Sequence, residues 1–372
     1  GRITALMVAS RRKQLAAVVK LMESSNASTL NAQSAEGCTA LYLAAEEGAE
    51  PIVQLLLDQR ADAALAASDG GTPLMRASSF GHELCLRVLL EAKADQNKVT
   101  TDGMTALMFA ALNGHELVIR ELVRHVSLDL ADKDGTTALM YATRNGHVGA
   151  TQALLDAGAD PNCMRVSGFT ALMFAAKNGY KRTLVALLQG ERPVEVDMQT
   201  LESKKDKARA GTSALMLAAQ NGHASCVREL LYRKARVELT DKDGTCALMC
   251  ASRNGHVEAV KALLAVKETG VDQARPTGMT SLMFAAKNGY LAVVSELLEH
   301  GANVNLVNHK TQHTALIEAC ENGHEIVAAS LLRAGAQESV GGDLGDAARA
   351  TLAMARKRHQ GSEIYTSTLY TS

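Results

Sequence analysis

Tryptophan is absent from this 372-residue chain and aromatic residues make up only 3% of it, although 47% is hydrophobic. An interior built without large rings must be filled by Ala, Leu, Val and Met, at close helix spacings. An excess of either charge is also missing, because 39 Lys and Arg face 40 Asp and Glu for a formal charge of −1. No global field draws the chain to nucleic acid or to a membrane surface, so any electrostatic preference is local. No stretch approaches the roughly 18 consecutive apolar residues of a membrane span, and the N-terminus lacks the basic, apolar and small-residue order of a signal peptide. An intracellular, cytoplasmic chain without a membrane segment is therefore expected. The cysteines (Cys38, Cys85, Cys163, Cys226, Cys246, Cys250, Cys320) are odd in number and fall at no metal-finger spacing. They read as reduced thiols of a cytosolic compartment.

What the chain has in abundance is self-similarity. Thr105-Ala-Leu-Met-Phe-Ala-Ala-Leu-Asn-Gly-His115 returns as Thr170-Ala-Leu-Met-Phe-Ala-Ala-Lys-Asn-Gly-Tyr180. Copies begin at Thr4, Thr39, Thr72, Thr105, Thr137, Thr170, Ser213, Cys246, Thr280 and Thr314, with steps of 32 to 35 residues and one of 43. In each copy Thr is placed to cap a short Ala-rich helix, and Gly (Gly114, Gly146, Gly179, Gly222) is placed to stop it in the left-handed region. A second helix follows with an apolar stripe such as Val118, Leu122 and Val123, or Val293, Leu297 and Leu298. Polar turn-formers such as Gly158-Ala-Asp-Pro-Asn162 and Asp132-Lys-Asp-Gly-Thr-Thr137 then predict a hairpin loop. Neither helix is long enough to persist alone, so stacking on neighbouring copies must hold both.

The recurring Thr-Ala-Leu, Ala-Ala, Asn-Gly-His and Leu-Leu elements resemble the ankyrin family, whose repeat of about 33 residues is a turn plus two antiparallel helices. The Thr-Ala-Leu-Met wording resembles the ankyrin proteins expanded in diplomonad, Giardia-type protists. The resemblance implies an all-α ankyrin-repeat solenoid of about ten helix-turn-helix repeats with hairpin loops. It also implies a protein partner docked on the hairpin tips and the exposed, concave face of the first helices. One departure stands out: the family's Thr-Pro-Leu-His carries Met at the His position in most copies (Met7, Met75, Met108, Met140, Met173, Met216, Met249, Met283). The Thr-to-His hydrogen bond is expected to be missing, with a flexible thioether filling the gap.

The organisation expected is an array over 1–340, a degenerate C-terminal capping repeat over 341–361, and a polar tail over 362–372 without firm structure. The long step after Thr170 places an insertion within 189–209 of a hairpin loop, with Lys204, Lys205, Lys207 and Arg209 on it, read as solvated padding or as a finger that touches a partner. The N-terminal copy carries Arg11-Arg-Lys-Gln14 in place of Asn-Gly-His, and the chain starts at Gly1 inside the pattern, so a cut array is expected.

Positions that vary among copies are free to serve a ligand. Seven residues after each start the copies read Arg11, Glu46, Ser79, Leu112, Arg144, Lys177, Gln220, Arg253, Lys287 and Glu321. Arg144, Lys177, Arg253 and Lys287 form a basic line that suits a partner with an acidic segment, or that merely solvates helix ends and favours their dipoles. Phe80 and Leu112 are candidate apolar anchors.

The recurring His82, His115, His147, His223, His256 and His324 read as helix-capping residues, since copies about 10 Å apart cannot share a metal. Cys246 and Cys250 share a helix face, and packing explains them. No phosphate loop, His-Glu-x-x-His or Gly-x-Ser-x-Gly is present, so no catalytic residue, metal or cofactor is assigned. The reading is a monomeric, non-enzymatic scaffold or adaptor. The alternatives are the regulatory arm of a larger enzyme such as a kinase and, more weakly, nucleic-acid binding through the basic line.

Overall fold

The computed structural model describes residues 3–23, 27–124, 126–202, 210–338 and 345–369. Among these residues all regular structure is helical apart from three isolated antiparallel bridges, Ala131 with Thr137, Gln199 with Ser213, and Ala274 with Thr280. Two compact units are formed. One comprises Gly1–Val166, Thr170–Ala175 and Arg182–Val194; the other comprises Ser167–Phe169, Ala176–Lys181 and Glu195–Ser372.

The start residue of each repeat sits in extended backbone and its hydroxyl accepts from the backbone N–H three residues on, as Thr39 does from Tyr42 at 3.1 Å and Ser213 from Met216 at 3.3 Å. Cys246 occupies the same position without a side-chain capping bond. The methionine does more than fill the gap. In two copies the thioether takes up a polar link of its own: Thr4 N–H donates to Met7 Sδ at 3.4 Å and Thr105 N–H to Met108 Sδ at 3.5 Å. A reciprocal box is thereby closed around a fully buried side chain.

In the first unit, helix Ala40–Glu47 packs on Pro73–Ser79, and that on Ala106–Asn113. In the second, Ala214–Gln220 packs on Ala247–Arg253, and that on Ser281–Lys287. The contact residues are small and fully buried (Ala44, Ala77, Ala110, Ala218, Ala251, Ala285), which lets backbones approach. Second helices stack alongside, with Leu56, Leu89, Leu122, Leu230 and Leu263 at 0% exposure. Each such leucine contributes about 1.5–3 kcal/mol relative to an exposed one, which is how helices of two turns are held.

The hairpins form a ladder of their own. Ser68 N–H donates to Glu36 C=O at 2.9 Å, Thr101 to Asp69 at 2.8 Å, Lys133 to Asp102 at 3.1 Å and Val166 to Asp134 at 3.0 Å. The second unit continues the pattern with Leu201 to Ser167 at 3.1 Å and Lys242 to Ala210 at 3.0 Å. At the corresponding place Pro276 has no N–H to give. The insertion leaves from the top of such a hairpin: Thr200 N–H donates to Thr212 C=O at 3.0 Å and Gly211 N–H to Thr200 C=O at 2.8 Å. Lys204, Lys205, Lys207 and Arg209 lie outside the described residues.

Lys13 takes a left-handed φ of 57° where other repeats have Gly, and Arg60, Lys93 and Lys234 do the same after their second helices at 68°, 60° and 60°. Gly158 and Gly301 hold the latter position elsewhere. An L-residue there costs roughly 1–2 kcal/mol, so Lys93→Gly should stabilise the protein by about 1 kcal/mol in urea unfolding, after loss to the looser unfolded chain. At the C-terminal end one helix, Asp346–Leu369, packs on Glu325–Arg333 with Ala348, Leu352 and Ala355 buried. It runs through residue 361, where the capping repeat was expected to end. Its residues are mostly helix formers and no proline interrupts them.

Candidate functional site

The face to consider is made by the ends of the first helices and the hairpins beside them. Its backbone is held from the next repeat. His82 Nε2 hydrogen-bonds the carbonyl of Glu46 at 3.0 Å, His115 that of Ser79 at 2.9 Å, and His147 that of Leu112 at 3.0 Å. In the second unit His223 bonds Lys177 C=O, His256 Gln220 C=O and His324 Lys287 C=O, each at 3.0 Å. These histidines stand at the N-caps of second helices but make no side-chain cap there. They tie one repeat to the preceding one instead.

The carbonyl they hold belongs in each case to the variable residue seven after the start. The fold uses that residue's backbone in these copies, while its side chain differs from one to the next.

The side chains at this position differ in what they do. Phe80, the next residue in its copy, is 50% exposed and stacks on His82 with centroids 6.1 Å apart. It lines an open groove of about 420 Å³ with Arg11, Lys13, Glu46, Glu47 and His82. Leu112 is half-buried, a weaker anchor than expected. Arg144 is exposed, its guanidinium 5.9 Å from the centre of the Phe174 ring. Lys177 is half-buried with its ammonium 5.6 Å from the Phe169 ring, beside a recess of about 100 Å³ lined also by Thr212, Leu217 and Gln220. Arg253 is exposed and lies 5.9 Å from the Phe284 ring. Lys287 differs: its ammonium is 3.2 Å from Glu318, a carboxylate only 4% exposed that also faces His313 Nδ1 at 3.4 Å. It neutralises a buried charge before it can serve any partner.

Two sets of residues on this face went unread in the sequence. The position four after each start (Arg76, Phe109, Tyr141, Phe174, Leu217, Cys250, Phe284, Glu318) varies as freely as the chosen one. Hairpin residues Arg165 and Arg275 lie 5.9 and 5.5 Å from the Phe174 and Phe284 rings. Arg165 pairs with Asp134 at 3.1 Å and Arg275 with Asp243 at 3.6 Å. Comparing copies at every position of the repeat would have found both sets.

Tyr141 donates to Asp132 Oδ2 at 2.6 Å. Burial, and then this bond, push the phenol up to about 12. Burial alone would raise Asp132, but the Tyr141 hydroxyl and the backbone of Thr136 and Asp134 more than offset it and hold the carboxyl below its usual value. A groove of about 810 Å³ in the first unit is lined by Ile3, Met7, Val8 and Leu43 and also by Ser34, Glu36, Cys38 and Glu47, and burial pushes the Cys38 thiol up.

Burial pushes the thiols upward as well, Cys85 and Cys320 to about 11 and Cys250 to about 12 from an ordinary 9.0. They are protonated at neutral pH and unsuited to nucleophilic work. Since the folded value is the higher one, the stability they contribute is full below about pH 9 and is lost as pH rises toward 12. Urea unfolding of Cys250→Val should accordingly fall off less between these limits than that of the parent.

The family model described as "Ankyrin repeats (3 copies)" matches residues 6–100, 92–165, 128–202, 172–275 and 265–340. These matches span most of the chain, which belongs to the ankyrin-repeat family and is an all-α ankyrin-repeat protein. Repeats of this family are in general protein–protein interaction modules. No match is found among curated proteins. No described helix is long and apolar enough to cross a membrane.

Proposed function

We propose that the chain is a cytoplasmic, monomeric interaction module without catalysis of its own, and that the first-helix and hairpin face takes a protein partner bearing an acidic segment. One observation carries the reading. In six repeats a histidine holds the carbonyl of the residue seven after the start, Lys177 among them, with Tyr180 and Tyr290 in the histidine's place after Arg144 and Arg253, yet its side chain changes identity from copy to copy. Its basic members, Arg144, Lys177 and Arg253, supply the charge; Phe80 supplies an exposed apolar surface. Nucleic acid is disfavoured because the rings beside these cations, Phe174 and Phe284, are 7% exposed and cannot stack on bases. The Thr-Ala-Leu-Met wording supports kinship with the diplomonad branch of the family.

The test is affinity capture with the wild-type chain beside an Arg144→Glu, Lys177→Glu, Arg253→Glu variant of matched melting temperature. Lys287 is left alone because Glu318 depends on it. Partners lost with the variant support this face. Partners kept by both put binding elsewhere.

A further inference from the structure

One end of the interaction face departs from the rest of the array. Eight residues after the start, seven copies carry Asn, from Asn113 to Asn322. In five of them the amide donates to the carbonyl four residues back, that of Phe109, Leu217, Cys250, Phe284 or Glu318, at 2.8–3.0 Å. Asn145 donates to Leu112 C=O at 2.7 Å instead. The amide closes a helix end whose carbonyls lack partners within the helix. The first three copies carry Arg12, Glu47 and Phe80 at this position, and neither Glu47 nor Phe80 has a side-chain N–H to donate. A bond that steadies the helix end is forgone in these copies.

Their side chains line a groove. Glu47 and Phe80 border the recess of about 420 Å³ with Arg11, Lys13, Glu46 and His82. Arg12 borders the recess of about 810 Å³, which shares Arg11 and Glu47 with the smaller one, so the two adjoin. All of these residues belong to the first unit. Charge is ordered along the groove. Arg11, Arg12 and Lys13, all exposed, come from the first copy, and the half-buried Glu46 and Glu47 come from the second. Phe80, 50% exposed, comes from the third and is steadied by His82 stacked at 6.1 Å. Glu46 also meets Arg76 at 3.6 Å.

We propose that this end of the face reads an extended peptide segment of a protein partner, in which an acidic, a basic and an aromatic residue follow one another at intervals of three. The proposal rests on the interaction face argued above and names what one end of it selects. Complementarity sets the order: a carboxylate beside Arg11, Arg12 and Lys13, a cation beside Glu46 and Glu47, and a ring against the open side of Phe80. Packing sets the interval. Stacked copies lie about 10 Å apart and an extended chain advances about 3.3 Å per residue. Three residues therefore carry the peptide from one copy to the next. A phosphate backbone does not fit, because Glu46 and Glu47 repel it.

The test is calorimetric titration of the full chain with the peptide Glu-Ser-Gly-Lys-Ser-Gly-Phe, blocked at both ends and made in both chain directions, beside peptides with Glu and Lys exchanged. One equivalent of the first order is expected, with the exchanged order bound at least about ten-fold more weakly. Glu47→Asn and Phe80→Asn restore the residue of the other copies. Each should melt no lower than wild type and bind the first peptide at least about ten-fold more weakly. The Arg144→Glu, Lys177→Glu, Arg253→Glu variant should bind it within about two-fold of wild type, because distant sites act independently. Equal affinity for the two orders, or undiminished binding by both Asn variants, overturns the proposal. A lower melting temperature in both Asn variants overturns it too, since these residues would then serve the fold. Loss of binding in the triple variant puts the peptide elsewhere and does the same. Absence of binding by wild type up to about 1 mM peptide also overturns it, and leaves the capture experiment on Arg144, Lys177 and Arg253 to decide the broader reading.

Discussion

Replacing Lys287 by Glu should cost about 2–3 kcal/mol in urea unfolding, with the loss concentrated in the C-terminal repeats. Glu318 sits on the first helix of its repeat where Leu217 and Phe284 stand in others, and like them it is buried. A carboxylate in such a place depends on its partners, the Lys287 ammonium at 3.2 Å and His313 Nδ1 at 3.4 Å. Removing one partner of a buried pair leaves an uncompensated charge worth roughly 3–5 kcal/mol. The figure is discounted here because Lys287 is itself 48% exposed and water shares the screening. Repeats are stabilised by their neighbours, so hydrogen exchange should rise first over 315–333. A Lys287→Met, Glu318→Met double variant should return to near the parental stability, because Met fits a slot that elsewhere holds Leu or Phe. A Lys287→Glu protein as stable as its parent would show that the pair does not hold these repeats.

The second large effect is expected at Gly114. Its φ is 76°, in the left-handed region, and a Cβ there would lie 2.6 Å from Nδ1 of His147. Gly114→Val therefore combines backbone strain of roughly 1–2 kcal/mol or more for a β-branched residue with displacement of a histidine that bonds Leu112 C=O. That bond is worth about 1 kcal/mol. The total expected is about 2–3 kcal/mol. Gly114→Val placed in a His147→Gly background separates the two causes in urea unfolding: the bond is already absent and the collision disappears, so relative to His147→Gly alone the substitution should cost only the φ strain, about half of its effect in the parent. No loss in that background would mean that the left-handed backbone costs nothing there.

These two positions show where the sequence could be read and where it could not. Threonine caps, glycine stops and the alternation of Ala-rich and Leu-rich helices are local signals, and the repeats follow from them because each copy carries all of them. The histidines were read as helix caps and prove to be ties between repeats, because their acceptors lie more than thirty residues upstream and no spacing within one repeat points to them. Lys287 read as one more surface cation because its partner, Glu318, lies in the next repeat at a position that holds Leu217 or Phe284 in other copies. Arg165 and Arg275 escaped for a similar reason: they belong to hairpins, and their nearness to Phe174 and Phe284 arises only when a hairpin folds back on its helix. Phe80 and Arg144 could be singled out as candidates because variation among copies is itself a signal. That test needed only to be applied to the whole repeat.

A competing surface exists and makes the central claim testable. Leu84, Leu117 and Ile326, on second helices, are 61%, 63% and 51% exposed, and Tyr232 is 78% exposed. Each could mark a binding face, although apolar side chains scattered singly on a surface are ordinary. The measurement that decides is hydrogen–deuterium exchange of the chain with and without a captured partner. Slowed exchange at first-helix ends and hairpins, over 132–145, 163–177 and 241–254, is the result this account predicts. Slowed exchange confined to the second helices around Leu84, Leu117, Tyr232 and Ile326 would contradict it.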